Sequence, residues 1–80
     1  MAREVTCEVI ATISTQQIGD GELRLQVVSW NKGQRKLEYR RYFEHASGEM
    51  RPAKLVGIDS DTLQVIEENL DKIKTAMEGT

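Results

Sequence analysis

The chain has few of the residues that staple small proteins together. In 80 residues it carries one cysteine (Cys7), one histidine (His45) and one proline (Pro52). A single cysteine excludes an internal disulfide, and one cysteine with one histidine cannot make a zinc site. There is no phosphate-cradling glycine loop and no Walker-like motif. No apolar run has the length of a membrane span, and Arg3, Glu4 and Glu8 interrupt what would be a signal-peptide core. Repeats, low-complexity tracts and long linkers are missing too. These absences predict one soluble, intracellular domain over residues 1–80, without cofactor or metal. A chain this short buries roughly 60% of its unfolded surface. Without staple or metal, self-association is the expected reinforcement.

What is present is unevenly spread. The net charge is −2, but residues 24–54 hold eight cations (Arg24, Lys32, Arg35, Lys36, Arg40, Arg41, Arg51, Lys54) and three acids, a local +5. The remainder holds three cations and ten acids, a local −7. A mildly acidic total can therefore hide a basic surface.

Hydropathy patterning gives the elements. Val5, Cys7, Val9, Ala11 and Ile13 alternate with polar residues over 5–15, broken only by Ile10, which predicts a strand with one buried face and Cys7 as a small core residue. Gly19-Asp20-Gly21 is turn chemistry. A second strand is expected over about 22–30, with Leu23, Leu25 and Val27 on one face and Val28 and Trp30 on the other. Asn31-Lys32-Gly33-Gln34 reads as a hairpin turn in which Gly33 can take positive φ. The third strand, about 35–43, sets Leu37, Tyr39 and Phe43 against Lys36, Glu38, Arg40 and Tyr42, with Arg41 on the apolar-side register. A short edge strand is expected over 53–58, after Pro52. Asp59 or Ser60 can cap a helix of about 60–77, stopped at Gly79. Leu63, Ile66, Leu70, Ile73 and Met77 form its apolar stripe, suited to covering the sheet and to pairing helices across a dimer. The expected class is α+β: a four-stranded antiparallel β-sheet followed by one C-terminal α-helix (β-β-β-β-α), in a homodimer. One helix covers one sheet face and leaves the other for water, a partner or a ligand.

Catalysis finds little support. His45 lies in a polar loop with no nucleophile tied to it, and the helix acids read as a solvated face. The notable set combines cations and aromatics: Trp30, Lys32, Arg35, Lys36, Arg40, Tyr42, Phe43, Arg51 and Lys54. Unpaired nucleic acid needs this combination, because cations follow the phosphates while aromatic faces stack on bases.

Four segments sharpen this reading: Val27-Val28-Ser29-Trp30-Asn31-Lys32-Gly33, Tyr39-Arg40-Arg41-Tyr42-Phe43, Gly48-Glu49-Met50-Arg51-Pro52, and Gly57-Ile58 before a helix. Together, over about residues 22–77, the chain resembles the positive cofactor four family, transcriptional coactivators with bacterial and phage relatives that bind single-stranded DNA. The first strand is similar to that of the bacterial branch. The resemblance implies two chains paired through helices and sheets, with curved basic channels for unpaired strands. By position, Lys32, Arg40 and Phe43 match the family's nucleic-acid contacts, and Phe43 stands where an aromatic stacks on a base. Trp30 or Asn31 takes the place of a second aromatic, and Arg51 and Lys54 follow as basic residues before the edge strand. Gln34 and Ser29 replace cations, and the stretch after Pro52 is about one residue longer, with Leu55 and Val56 in less basic surroundings. Fewer cations imply weaker binding than in strongly basic relatives. The expectation is a homodimeric, largely sequence-independent single-stranded DNA-binding protein acting in transcription regulation, replication or repair, cytoplasmic and nucleoid-associated. Its rivals are a protein-interaction adaptor on the same fold and an RNA-binding module.

Overall fold

The sheet forms where period-two alternation is cleanest. In the computed structural model, which describes residues 6–78, β1 (Cys7–Ile18), β2 (Gly21–Trp30), β3 (Arg35–Glu44) and β4 (Met50–Leu55) precede α1 (Ser60–Glu68) and α2 (Leu70–Glu78). The strands make one antiparallel sheet in the order β1-β2-β3-β4. Val5 and Gly79, the expected strand start and helix stop, lie outside the described residues. The molecule measures 38 × 34 × 18 Å, the thin axis being one sheet and one helical layer. No helix among the described residues is long and apolar enough to cross a membrane.

The helices cover the face carrying Leu23, Leu25, Val27, Leu37 and Tyr39. Thr62 and Val65 share a small cavity with Leu23 and Tyr39, and Arg35 Nη1 donates to Ala76 O at 2.8 Å. Leu25 and Val27 are fully buried there, while Val28 is fully buried on the outer face. Each such side chain contributes roughly 1.5–3 kcal/mol. Among the described residues only Leu25, Val27, Val28, Tyr42 and Ile73 are buried apolar groups, a small core.

Two hairpins set the register. Gly21 is buried, and a Cβ there would run into the Tyr42 carbonyl, so β2 and β3 can approach this closely only at a glycine. In the β2–β3 turn, positive φ falls on Asn31 (51°) and Lys32 (59°), not on Gly33 as expected from the sequence. Gly33 N–H closes the turn on Trp30 O at 2.8 Å, so Asn31 and Lys32 are its central residues, the left-handed pair that suits the strand twist. Asn31 and Thr6 exchange two hydrogen bonds, 2.7 and 3.0 Å, which tie this turn to the start of β1. A left-handed lysine is strained by its Cβ. Lys32→Gly is therefore expected to stabilise the fold by roughly 0.5–1 kcal/mol net of glycine's larger unfolded entropy. Thermal unfolding checks this; an unchanged or lowered midpoint contradicts it.

The first strand departs most from its pattern. It extends to Ile18, and its pairing with β2 slips between Val9 and Ala11 and again between Thr12 and Ser14. Ile10 and Ile13 are the extra residues, and each bulge reverses which face the following residue takes. Val9 thus opposes Val28 on the outer face while Ala11 opposes Val27 on the helix side. Cys7, expected in the core, opposes Trp30 on the outer face and is exposed.

The edge strand β4 begins at Met50, before Pro52 rather than after it. Pro52 is tolerated because β4 is the outermost strand. Between the pairs Arg40–Leu55 and Tyr42–Pro52, β4 carries one residue more than β3, a bulge at Ala53-Lys54.

The single expected helix is two. Asp59 caps α1, its Oδ1 accepting from Thr62 N–H at 2.8 Å, and this bond holds the carboxyl below its usual value. At Asn69 the helix breaks. Its φ is −117°, its N–H is shared between Val65 O (3.1 Å) and Ile66 O (3.2 Å), and its side-chain amide donates to Val65 O at 2.8 Å. A side chain competing for the backbone carbonyl is a usual cause of such a break. The inward positions are Thr62 and Ile73, both buried, flanked by the half-buried Val65, Asn69 and Ala76.

Candidate nucleic-acid interface

Alternation along β2 and β3 distributes the expected site residues over two faces. Trp30, Lys36, Arg40 and Tyr42 lie on the outer face, where Arg24 opposes Arg40 and Val28 opposes Lys36. Arg35 opposes Ser29 on the helix side, and Phe43, 41% exposed, lies on that side opposite Arg51. Lys32 is at the hairpin tip, and Lys54 is exposed in the β4 bulge. The nine residues therefore do not form one surface.

The densest cluster is built around Glu38. Trp30 Nε1 donates to Glu38 Oε2 at 2.6 Å, and Arg40 donates to the same carboxylate through Nε (3.0 Å) and Nη2 (3.2 Å). Arg40 Nη1 donates to Ala53 O at 2.6 Å. That carbonyl lies at the β4 bulge, where the ladder is interrupted and its acceptor is left for a side chain. The Arg40 guanidinium carbon lies 5.4 Å from the Trp30 ring centroid, within cation–π range. Burial pushes the Glu38 carboxyl up, but the hydrogen bonds from Arg40 and Trp30 and the charges of Arg40 and Lys36 outweigh it, holding the group below its ordinary value. The same hydrogen bond to Glu38 raises Arg40 further above its already high value.

A second pair repeats the pattern. Arg24 Nε donates to Glu22 Oε2 at 2.8 Å and the guanidinium lies 4.3 Å from the Tyr42 ring centroid. Like charges directly opposed across strands repel, and Arg24 and Arg40 are so opposed; each turns to its own carboxylate. Tyr42 is 6% exposed, and its hydroxyl donates to Gln26 Oε1 at 3.0 Å while Gln26 Nε2 donates to Thr12 Oγ1 at 3.2 Å. Burial pushes the Tyr42 hydroxyl up. Tyr42 is thus a buried cross-strand tie, and its ring is not open to a stacking base as the sequence reading expected.

Arg35 is likewise a structural anchor. Its bond to Ala76 O satisfies a carbonyl near the end of α2, where a cation is favourable. Trp30, Lys36 and Arg40 line a groove of about 690 Å³ with Leu37, Leu55 and Ile58, at the β3 edge beyond the point where β4 leaves it. Of the aromatics expected to stack, Trp30 and Phe43 remain accessible, on opposite faces.

Glu38, Arg24 and Gln26 were absent from the expected site. Three triplets of one form, Glu22-Leu23-Arg24, Glu38-Tyr39-Arg40 and Glu49-Met50-Arg51, could have indicated the ion pairs, since residues two apart share a strand face. His45 sits in the β3–β4 loop, its ring Nδ1 within 3.3 Å of Ser47 Oγ. No group of three or more His, Cys, Asp or Glu residues able to hold a metal occurs among the described residues. No family model, curated protein or solved structure matches the chain.

Proposed function

We propose that the chain is a homodimeric, largely sequence-independent single-stranded DNA-binding module that catalyses no reaction and serves transcription, replication or repair. The observation that carries this reading is the convergence of Trp30, Arg40 and Lys36 on one open groove, an aromatic face beside cations. The resemblance to the positive cofactor four family supports it at Lys32, Arg40 and Phe43. With Arg40 and Arg51 beside carboxylates and Arg35 bound to Ala76 O, Lys32, Lys36 and Lys54 are the most available cations of the expected site. About three neutralised phosphates give a slope of roughly −2 for log K against log salt. Titration of Trp30 fluorescence with oligo-dT at several salt concentrations tests this. No quenching and no salt dependence at micromolar protein would defeat the reading. Competition among single-stranded DNA, duplex DNA and RNA then fixes the ligand class.

Dimerisation is supported by the small core together with the helix stripe. Leu63, Leu70 and Met77 are 49%, 43% and 39% exposed, and Ile66 is half-buried. Ile73, expected in the same interface, is 3% exposed and belongs to the subunit's own core. Leu63→Asp with Leu70→Asp is expected to shift the protein from dimer to monomer in sedimentation equilibrium. A double variant that sediments like wild type would place the interface elsewhere.

One observation favours the adaptor reading: Leu55 and Ile58 line the groove while 59% and 49% exposed, an apolar surface suited to a protein. Arg40→Ala with Phe43→Ala separates the two, because an adaptor without nucleic-acid binding has no oligonucleotide affinity to lose.

A further inference from the structure

We infer that Glu38 limits the affinity of the Trp30–Arg40 site by acting as an internal anion in the position a ligand phosphate would take. The inference rests on the nucleic-acid reading above and identifies what regulates that site.

All three guanidinium nitrogens of Arg40 are engaged, two by Glu38 and one by Ala53 O. The Trp30 indole N–H is spent on the same carboxylate. The side chains of Glu38 and Arg40 are only 11% and 17% accessible, so the pair is shielded from solvent and its charges are matched internally. Gln26, which opposes Glu38 on β2, is neutral and committed to Thr12 and Tyr42. A phosphate entering the groove meets a neutral pair until Glu38 releases Arg40. A stacked base on Trp30 then provides the compensating attraction, so the site favours ligands presenting a phosphate and an aromatic face together over simple polyanions.

Binding of a labelled oligo-dT of about 15 nucleotides, followed by anisotropy across salt concentrations, tests this with wild type, Glu38→Gln and Glu67→Gln. Glu67 lies exposed on α1 and its replacement changes the net charge equally. Glu38→Gln is expected to bind roughly 5–30-fold tighter at low salt, because Arg40 no longer has to leave a charged hydrogen-bond partner before it meets a phosphate. Its salt slope should steepen by about 0.7, while Glu67→Gln stays within about twofold of wild type, as screening over a distance dictates. Unchanged or weaker binding by Glu38→Gln, or an equal gain in Glu67→Gln, overturns the inference. A second measurement needs no variant. The Trp30 indole N–H resonance of wild type should move when oligo-dT displaces Glu38, and a stationary signal at saturation overturns the inference. If neither wild type nor Glu38→Gln binds oligo-dT, the nucleic-acid reading fails and takes this inference with it. Wild-type binding with an unresponsive Glu38→Gln defeats the inference alone.

Discussion

Trp30→Ala is expected to weaken oligo-dT binding by roughly 10–100-fold. Stacking on an aromatic side chain contributes about 1–3 kcal/mol per base, and each 1.4 kcal/mol is about tenfold. The substitution also removes the 2.6 Å donor to Glu38 and the ring over which Arg40 lies. Trp30→Phe separates these contributions, because it keeps an aromatic face, though a smaller one, and loses the N–H. It should retain most of the affinity. The intrinsic fluorophore is lost in both variants, so anisotropy of a labelled oligonucleotide is the readout. Binding by Trp30→Ala within about twofold of wild type would remove Trp30 from the site, since such a change is under about 0.5 kcal/mol.

Leu25→Ala is expected to be the most damaging single change to the fold. Leu25 is fully buried at the centre of β2, between Ser14 on β1 and Tyr39 on β3, on the face beneath the helices. A buried leucine truncated to alanine costs about 2–5 kcal/mol, including the cavity left behind. Native domains hold only about 5–15 kcal/mol in total, and this core is small. A loss of that size is a fall of roughly 10–30 °C in the unfolding midpoint for a domain of this length. Val9→Ala is the comparison. Val9 is 46% exposed on the edge strand, and its truncation should cost less than about 1 kcal/mol. Equal losses for the two would contradict a core centred on Leu25.

The central hairpin was legible in the sequence because its signal is local. Leu23, Leu25 and Val27 alternate with Glu22, Arg24 and Gln26, and both faces are as the alternation assigns them. The ends were less legible, for physical reasons. In β1 the alternation is nearly unbroken, yet the face of each residue depends on pairing with β2, and bulges at Ile10 and Ile13 reverse it twice. In the helices a regular stripe was assigned to one continuous rod. Thr62 packs near Leu23 and Tyr39 in place of Leu63, and Asn69 breaks the rod through a hydrogen bond that hydropathy does not carry. For the site, the residue types were legible and their partners were not. Arg40 reads as a free cation until its same-face neighbour Glu38 and the Ala53 carbonyl at the β4 bulge are both in place.

The two bulges in β1 bear on how the molecule behaves when concentrated. β1 is a twelve-residue strand at the border of the sheet, and an unbroken border of that length is a template on which a second backbone can lie. Ile10 and Ile13 cut it into three short runs, and Lys72 Nζ reaches the Thr12 carbonyl between them at 3.4 Å. An incoming strand would find its spacing wrong after a few residues and a positive charge at the middle. Two isoleucines that look like ordinary core residues thus act against fibrous association along this border of the sheet.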